Sequence, residues 1–271
     1  MKKITLLASL FLTGIAIAQP VQNLKQAMEL PMPKTIDDDM PGTRGASVVW
    51  HPVQKKYYAA FAGNTDFPFA IFDAKGERLS DEDMTCLADI RGLWYNPVKK
   101  EIAGNAYGEA GWFSYTLEPD GQIDDISNDL EGLHQPSEQS VGVYNTTTKR
   151  VLFLSAGKVY GYNESGELAD SVVIHWGRTK AMGIDEEAVP GLVPEDYNYL
   201  SLVYTGIKGQ ELGFLNVIAH QVELYDAKTG FLTKKLALPE DAIAETAFNF
   251  AYANGMYWLF DIELRKWVGY K

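Results

Sequence analysis

The residues of this chain best equipped for chemistry are three histidines, a scatter of carboxylates and three arginines, all in polar segments between apolar runs. His134, His175 and His220 come from three different segments, and a zinc ion needs three or four such ligands converging on one point. No pair of them has the short spacing of a local metal motif, so the sequence does not argue for zinc. Asp66, Asn105 and Glu138 offer oxygen ligands of the kind calcium takes. Glycoside hydrolysis needs two facing carboxyl groups about 5 to 9.5 Å apart, for which Asp66, Glu109, Glu138 and Glu263 are the candidates. A G-x-S-x-G nucleophile elbow is absent. Arg44, Arg91 and Arg178 stand out in a chain with 36 acidic and 24 basic residues and a formal net charge of −12. Gathered on one rim, they would suit an anionic or carbohydrate-like ligand. Paired with Asp66, Glu109 and Glu138, they would only join neighbouring elements. The acidic surface, with no Lys/Arg cluster to offset it, argues against nucleic acid and anionic lipid as partners.

The elements that must position these residues form a repeat. An aromatic residue followed closely by a turn recurs at Trp50, Tyr95, Tyr144, Tyr204 and Tyr252, at intervals of 45, 49, 60 and 48 residues. Intervals of that size suit a four-stranded propeller blade. Each of the first four units carries two strand-like runs, a third run ending at Phe72, Leu117, Tyr162 or Tyr225, and a turn closed by Gly76, Gly121, Gly166 or Gly230. The five aromatics share one repeat position. They are expected to pack between neighbouring blades; a ring facing the channel, able to stack on a sugar, is the alternative.

The fifth unit has three strands, Phe250 to Tyr252, Met256 to Phe260 and Trp267 to Tyr270, and then the sequence given stops. The missing strand is expected at the other end. Leu24 to Pro31 matches Leu232 to Pro239, the outer strand of the fourth unit, with leucine at the first and seventh positions and proline at the eighth. The expected fold is therefore all-β: a five-bladed β-propeller of four-stranded antiparallel blades, closed by an N-terminal strand at about 24–31 that completes the last blade. The longest interval holds an insertion, about 175–198, which is expected to be functional.

The segments Val222-Glu-Leu-Tyr-Asp226 with Gly230, and Val159-Tyr-Gly-Tyr-Asn163 with Gly166, resemble the NHL and YVTN class of propeller repeats. The resemblance spans about 220 residues. It implies the fold but no activity, and it implies a ligand at one end of the central channel. That end collects the loops entering each innermost strand and those joining the second and third strands. They carry the candidate ligand-binding residues Arg44, Asp66, Arg91, Tyr107, His134, Glu138, His175, Trp176, Arg178 and His220. Lactonase-like propellers hold a cation with Glu and Asn or Asp at inner-strand ends; here only Glu138 and Asn249 match, a departure that puts that activity in doubt.

Met1 to Ala18 reads as a secretory signal: Lys2 and Lys3, an apolar stretch from Ile4, and a small-x-small site ending at Ala18. Residues 19–271 are expected to form one propeller domain, secreted or periplasmic and monomeric. The Asp37 to Asp39 run is expected to be a solvated linker. The single cysteine, Cys86, cannot make an intrachain disulfide and is expected in the core. The function these features suggest is a scaffold binding a small molecule, carbohydrate or protein, with no cofactor required and calcium as the one cation to consider. A metal-dependent hydrolase, lactonase-like or glycosidase-like, is the alternative.

Overall fold

A computed structural model describes residues 21–34, 44–184 and 192–271. The expected signal segment and the Asp37 to Asp39 linker lie outside the described residues, as does the middle of the insertion.

Five small sheets follow one another around a ring. The innermost strands are Arg44–His51, Ile90–Asn96, Gly142–Asn145, Val203–Tyr204 and Phe250–Ala253, numbered here as blades 1 to 5. Each pairs antiparallel with a second strand: Lys56–Ala62, Glu101–Ala106, Arg150–Ser155, Leu212–Asn216 and Met256–Asp261. Those second strands are almost wholly buried because another sheet covers each of their faces, which is why KYYAAFA and MYWLFD read as apolar runs without alternation. Outer strands meet water, and their sequences show it: Ile123–Leu130 and Leu168–Val173 are mostly exposed and polar or mixed. The apolar cores lie at the blade seams, the largest spanning blades 5, 1 and 2 around Trp258, Trp267, Phe61 and Leu30. Cys86 lies fully buried in that core.

Closure follows the expectation. Gln26–Pro31 runs antiparallel to Lys266–Tyr270 as the outer strand of blade 5, with Leu30 opposite Trp267. The strand begins two residues later than expected, because Gln22–Asn23 pairs in parallel with the outer strand of blade 4 and the Leu24 amide donates to the Ala237 carbonyl. The N-terminal segment therefore joins blade 4 to blade 5 as well as completing the latter.

Two strands depart from the repeat. The sheet of blade 1 has three strands, Arg44–His51, Lys56–Ala62 and Phe69–Phe72. Its fourth position holds only isolated bridges, Phe72 to Arg78 and Pro68 to Thr85, while the Ile71 amide donates to the Ser80 hydroxyl and blocks a regular ladder. In blade 4 the innermost strand shrinks to Val203–Tyr204. Asn198 accounts for its late start: the side-chain oxygen accepts the Leu200 and Ser201 amides and holds that stretch in a turn.

The turns closed by glycine do more than reverse the chain. Gly230 has φ +68, and a Cβ there would lie 1.9 Å from the Val173 carbonyl oxygen at the end of the outer strand of blade 3. Each such turn leans on the blade before it, so a side chain at this point would force the seam apart.

Candidate functional site: the two ends of the channel

At the end where the innermost strands begin, called here the loop end, the chain gathers charge and amide groups and uses them internally. Phe248 and Asn249 are consecutive residues in the left-handed region, φ +53 and +58, and both are buried. Such strain persists only where surrounding contacts fix it. Here the Asn249 side-chain oxygen accepts the Gly45 amide at 2.7 Å, the Asn249 amide donates to the Gly45 carbonyl, and Asn198 donates to the Phe248 carbonyl at 2.9 Å. Asn105 repeats the device between blades 2 and 3: its oxygen accepts the Gly142 amide, and its nitrogen donates to Gln135 and to the Ser140 carbonyl. The innermost strands of these blades are in such close contact that a Cβ on Gly92 would fall 2.4 Å from the Gly142 amide nitrogen.

The loop-end candidates divide. Arg91 is 5% exposed; its guanidinium pairs with Asp89, donates to Gln139 at 2.8 Å and lies 4.6 Å from the Tyr107 ring. Tyr107 in turn donates to Glu138 at 2.8 Å, and that bond raises the phenol above its ordinary pKa. Arg44 and Arg91 both lie near 6 Å from the Phe248 ring, Arg44 from the exposed side. Arg44 and Arg91 therefore stand over Phe248, and Arg91 links onward to Tyr107 and through it to Glu138. Asp66 is not part of that group; it is exposed in its own loop, where Asn64 caps its amide. Arg91 finds its carboxylate in Asp89 and not in Asp66, Glu109 or Glu138.

Two of the three histidine candidates lie at blade seams. The His134 ring sits 3.2 Å from the Gly166 carbonyl oxygen of blade 3 and 2.8 Å from the Glu131 carbonyl oxygen. One seam further on, the His175 amide donates to the Gly230 carbonyl and its ring stacks on Phe231 at 4.2 Å; burial, and then Arg178, holds its pKa below the ordinary value. His220 is the last residue of a tight turn, φ +54, and its carbonyl accepts the Leu238 amide. The three histidines are thus held at separate places. Among the described residues no three of His, Cys, Asp and Glu group so as to hold an ion. The calcium candidate Asn105, and Asn249 at the lactonase-like cation position, have their oxygens turned onto backbone amides.

The insertion is fastened by a residue that sequence reasoning passed over. Glu223, 1% exposed, accepts hydrogen bonds from Tyr197 at 2.7 Å, Tyr225 at 2.6 Å and Gln221 at 2.6 Å, and lies 3.1 Å from the Lys235 ammonium. A buried carboxylate with every neighbour a donor is fully compensated. Trp176 packs on Tyr197 and Phe214 beside it, and Arg178 donates to the Gly183 and Met182 carbonyls of its own loop.

The opposite end, where the innermost strands finish in turns, is different. A cavity of about 230 Å³ opens there, and all five repeat aromatics, Trp50, Tyr95, Tyr144, Tyr204 and Tyr252, line it. The expected packing between blades is present, with Tyr95 on His51 of blade 1 and the Tyr204 hydroxyl on Thr147 of blade 3, and all five residues also border the channel cavity. Trp50, Tyr95, Tyr204 and Tyr252 are half-buried, with one face backed by a neighbour, as Trp50 is by Tyr57 and Tyr95 by His51, each at 4.6 Å between ring centres. Tyr144 is buried, and its hydroxyl donates to Glu164 at 3.0 Å. Burial holds the phenols of Tyr95 and Tyr252 above their ordinary pKa, so they remain neutral hydrogen-bonding groups. No residue lining this cavity is charged. Apolar walls, rigid aromatic faces and a few neutral hydroxyls make a binding surface for an uncharged ring.

The sequence matches no protein-family profile and no curated protein. Its fold is similar to that of the glutaminyl cyclase of Myxococcus xanthus, with TM-score 0.54 and 11% identity over 93% of this chain and 98% of that one. It is also similar to an auxiliary nutrient binding protein from Bacteroides thetaiotaomicron VPI-5482 (TM-score 0.45, 10% identity, 83% of this chain and 59% of that one). The β-propeller domain of Cps50 (Swd1) from Myceliophteria thermophila is a third (TM-score 0.43, 9% identity, 85% and 97%). At such identities the likeness is one of fold, and a propeller is what it shows.

Proposed function

We propose that this protein is an exported carbohydrate-binding propeller that takes one ring of a neutral sugar into the turn end of its channel. The observation that carries this reading is the ring of five aromatics around an uncharged cavity of about 230 Å³. Drug-sized pockets run from roughly 300 Å³ upward, so this one suits a single ring. The signal-like pattern of Met1 to Ala18 supports a place outside the cytoplasm, where such ligands are met. No helix among the described residues is long and apolar enough to cross a membrane.

Calorimetric titration with glucose, galactose, mannose and N-acetylglucosamine tests the reading. At least one should bind saturably, and Trp50→Leu or Tyr252→Leu, which keep apolar bulk but remove the flat face, should weaken it by tenfold or more. Chelation of divalent ions should leave the affinity unchanged. Binding by none of the four, or binding indifferent to both variants, would overturn it.

A further inference from the structure

The channel mouth has a neighbour. A second cavity, of about 410 Å³, lies between blades 3 and 4, and Tyr204 lines both. The seam opens because of what the chain does in blade 4. Its innermost strand is only Val203–Tyr204, and residues 205–211 replace the tight turns found at 52–55, 97–100 and 146–149. Glu211 holds that longer loop in place, accepting the Gly209 amide at 2.8 Å and the Ala227 amide at 3.1 Å. The Tyr204 hydroxyl meets Thr147 at 2.9 Å, a bond that ties the shared ring to blade 3 and fixes it between the two spaces.

We propose that the cleft between blades 3 and 4 is a further set of subsites, so that the ligand is a neutral oligosaccharide running from the channel mouth across Tyr204 into the cleft. This rests on the channel-mouth reading and extends it. The floor is apolar, with Leu152, Val159 and Leu212 from the facing sheets, and the exposed side carries the hydroxyls of Thr148 and Ser171. A sugar chain presents that same combination, apolar ring faces bordered by hydroxyl edges. Side chains on the faces of two sheets line the cleft, so a peptide would not gain the edge-strand backbone pairing on which strand addition depends. The acidic groups of the walls are already engaged: Asp170 pairs with Arg150, and Glu211 holds the two amides. Lys228 is the one cation in the lining, and a polyanionic glycan would meet it beside two carboxylates and a net charge of −12.

The test is calorimetric titration of the full chain with glucose against maltopentaose and cellopentaose, and with N-acetylglucosamine against chitopentaose. One pentasaccharide should bind at least tenfold tighter than its monomer. Ala227→Trp and Ser171→Trp, which fill the cleft from opposite walls, should remove that gain while leaving the monomer affinity within about twofold and the Tm unchanged; tenfold corresponds to about 1.4 kcal/mol. Two variants guard against either one misfolding. Pentamers no tighter than monomers, or a gain that survives both variants, would overturn the cleft while leaving the mouth intact. Pentamer binding without monomer binding, lost in both variants, would support the cleft and overturn the mouth. A gain seen with an extended peptide and with no pentasaccharide would overturn the proposed ligand class.

Discussion

The two ends of the channel carry opposite kinds of residue and use them in opposite ways. The loop end holds arginines, carboxylates and amides, the usual marks of a site, yet these groups are largely engaged with one another: Arg91 with Asp89 and Gln139, Asn249 with Gly45, Tyr107 with Glu138. The turn end holds tyrosines, two tryptophans and valines, the usual marks of a core, yet they surround open space. The difference teaches that a polar rim is a candidate site only to the extent that its polar groups remain available. Availability is set by partners distant in sequence: Asn249 and Gly45 are 204 positions apart.

That contrast can be broken from either end. The largest effect expected is on stability at the loop end. Asn249→Ala leaves the Gly45 amide without its acceptor and puts alanine in the left-handed region, a combined cost of roughly 2–4 kcal/mol in urea unfolding. Ligand affinity should be unchanged; intact stability with lost binding would move the site to this end. Arg91→Met should cost less, about 1–3 kcal/mol, by removing the guanidinium from Asp89 and Gln139 while Asp89 keeps the Gly63 amide, again with binding retained. At the turn end the sign reverses. Tyr95→Leu should change stability by less than about 1 kcal/mol, since the ring is only half-buried, while weakening sugar binding severalfold.

The smallest effect is on pH dependence at the turn end. His51 is 4% exposed; burial lowers its pKa, and its hydrogen bond to the Lys100 carbonyl opposes the shift only in part. A histidine whose folded pKa is depressed favours the folded state fully above its unfolded pKa of about 6.5 and loses that contribution as pH falls through the folded value. Stability should therefore decline on acidification below about pH 6.5, less steeply in His51→Gln. An identical decline in the variant would place the titrating group elsewhere, His175 being the next candidate because burial and Arg178 also depress it.

The blades and their closure were legible in the sequence because they depend on local signals. Turn glycines at Gly76, Gly121, Gly166 and Gly230 fix the hairpins, and the leucine and proline pattern of residues 24–31 marks an outer strand wherever it occurs. The shortened innermost strand of blade 4 was not legible, since it depends on Asn198 capturing two amides of Leu200 and Ser201. The site was half legible. Spacing identified the five aromatics as equivalent, but which side of an innermost strand faces the channel depends on the twist of the sheet and the radius of the ring. The scattering of His134, His175 and His220 was hidden for a related reason: the turn at the end of one blade leans on the outer strand of the blade before it, drawing two of these histidines into seams.

The most direct test of the claim that ligand enters at the turn end is a crystal structure of the protein soaked with the tightest-binding sugar. A ring of density against Trp50 and Tyr252, within the cavity they line, is the result this account predicts. Density over Phe248 between Arg44 and Arg91, with the aromatic mouth filled only by solvent, would contradict it.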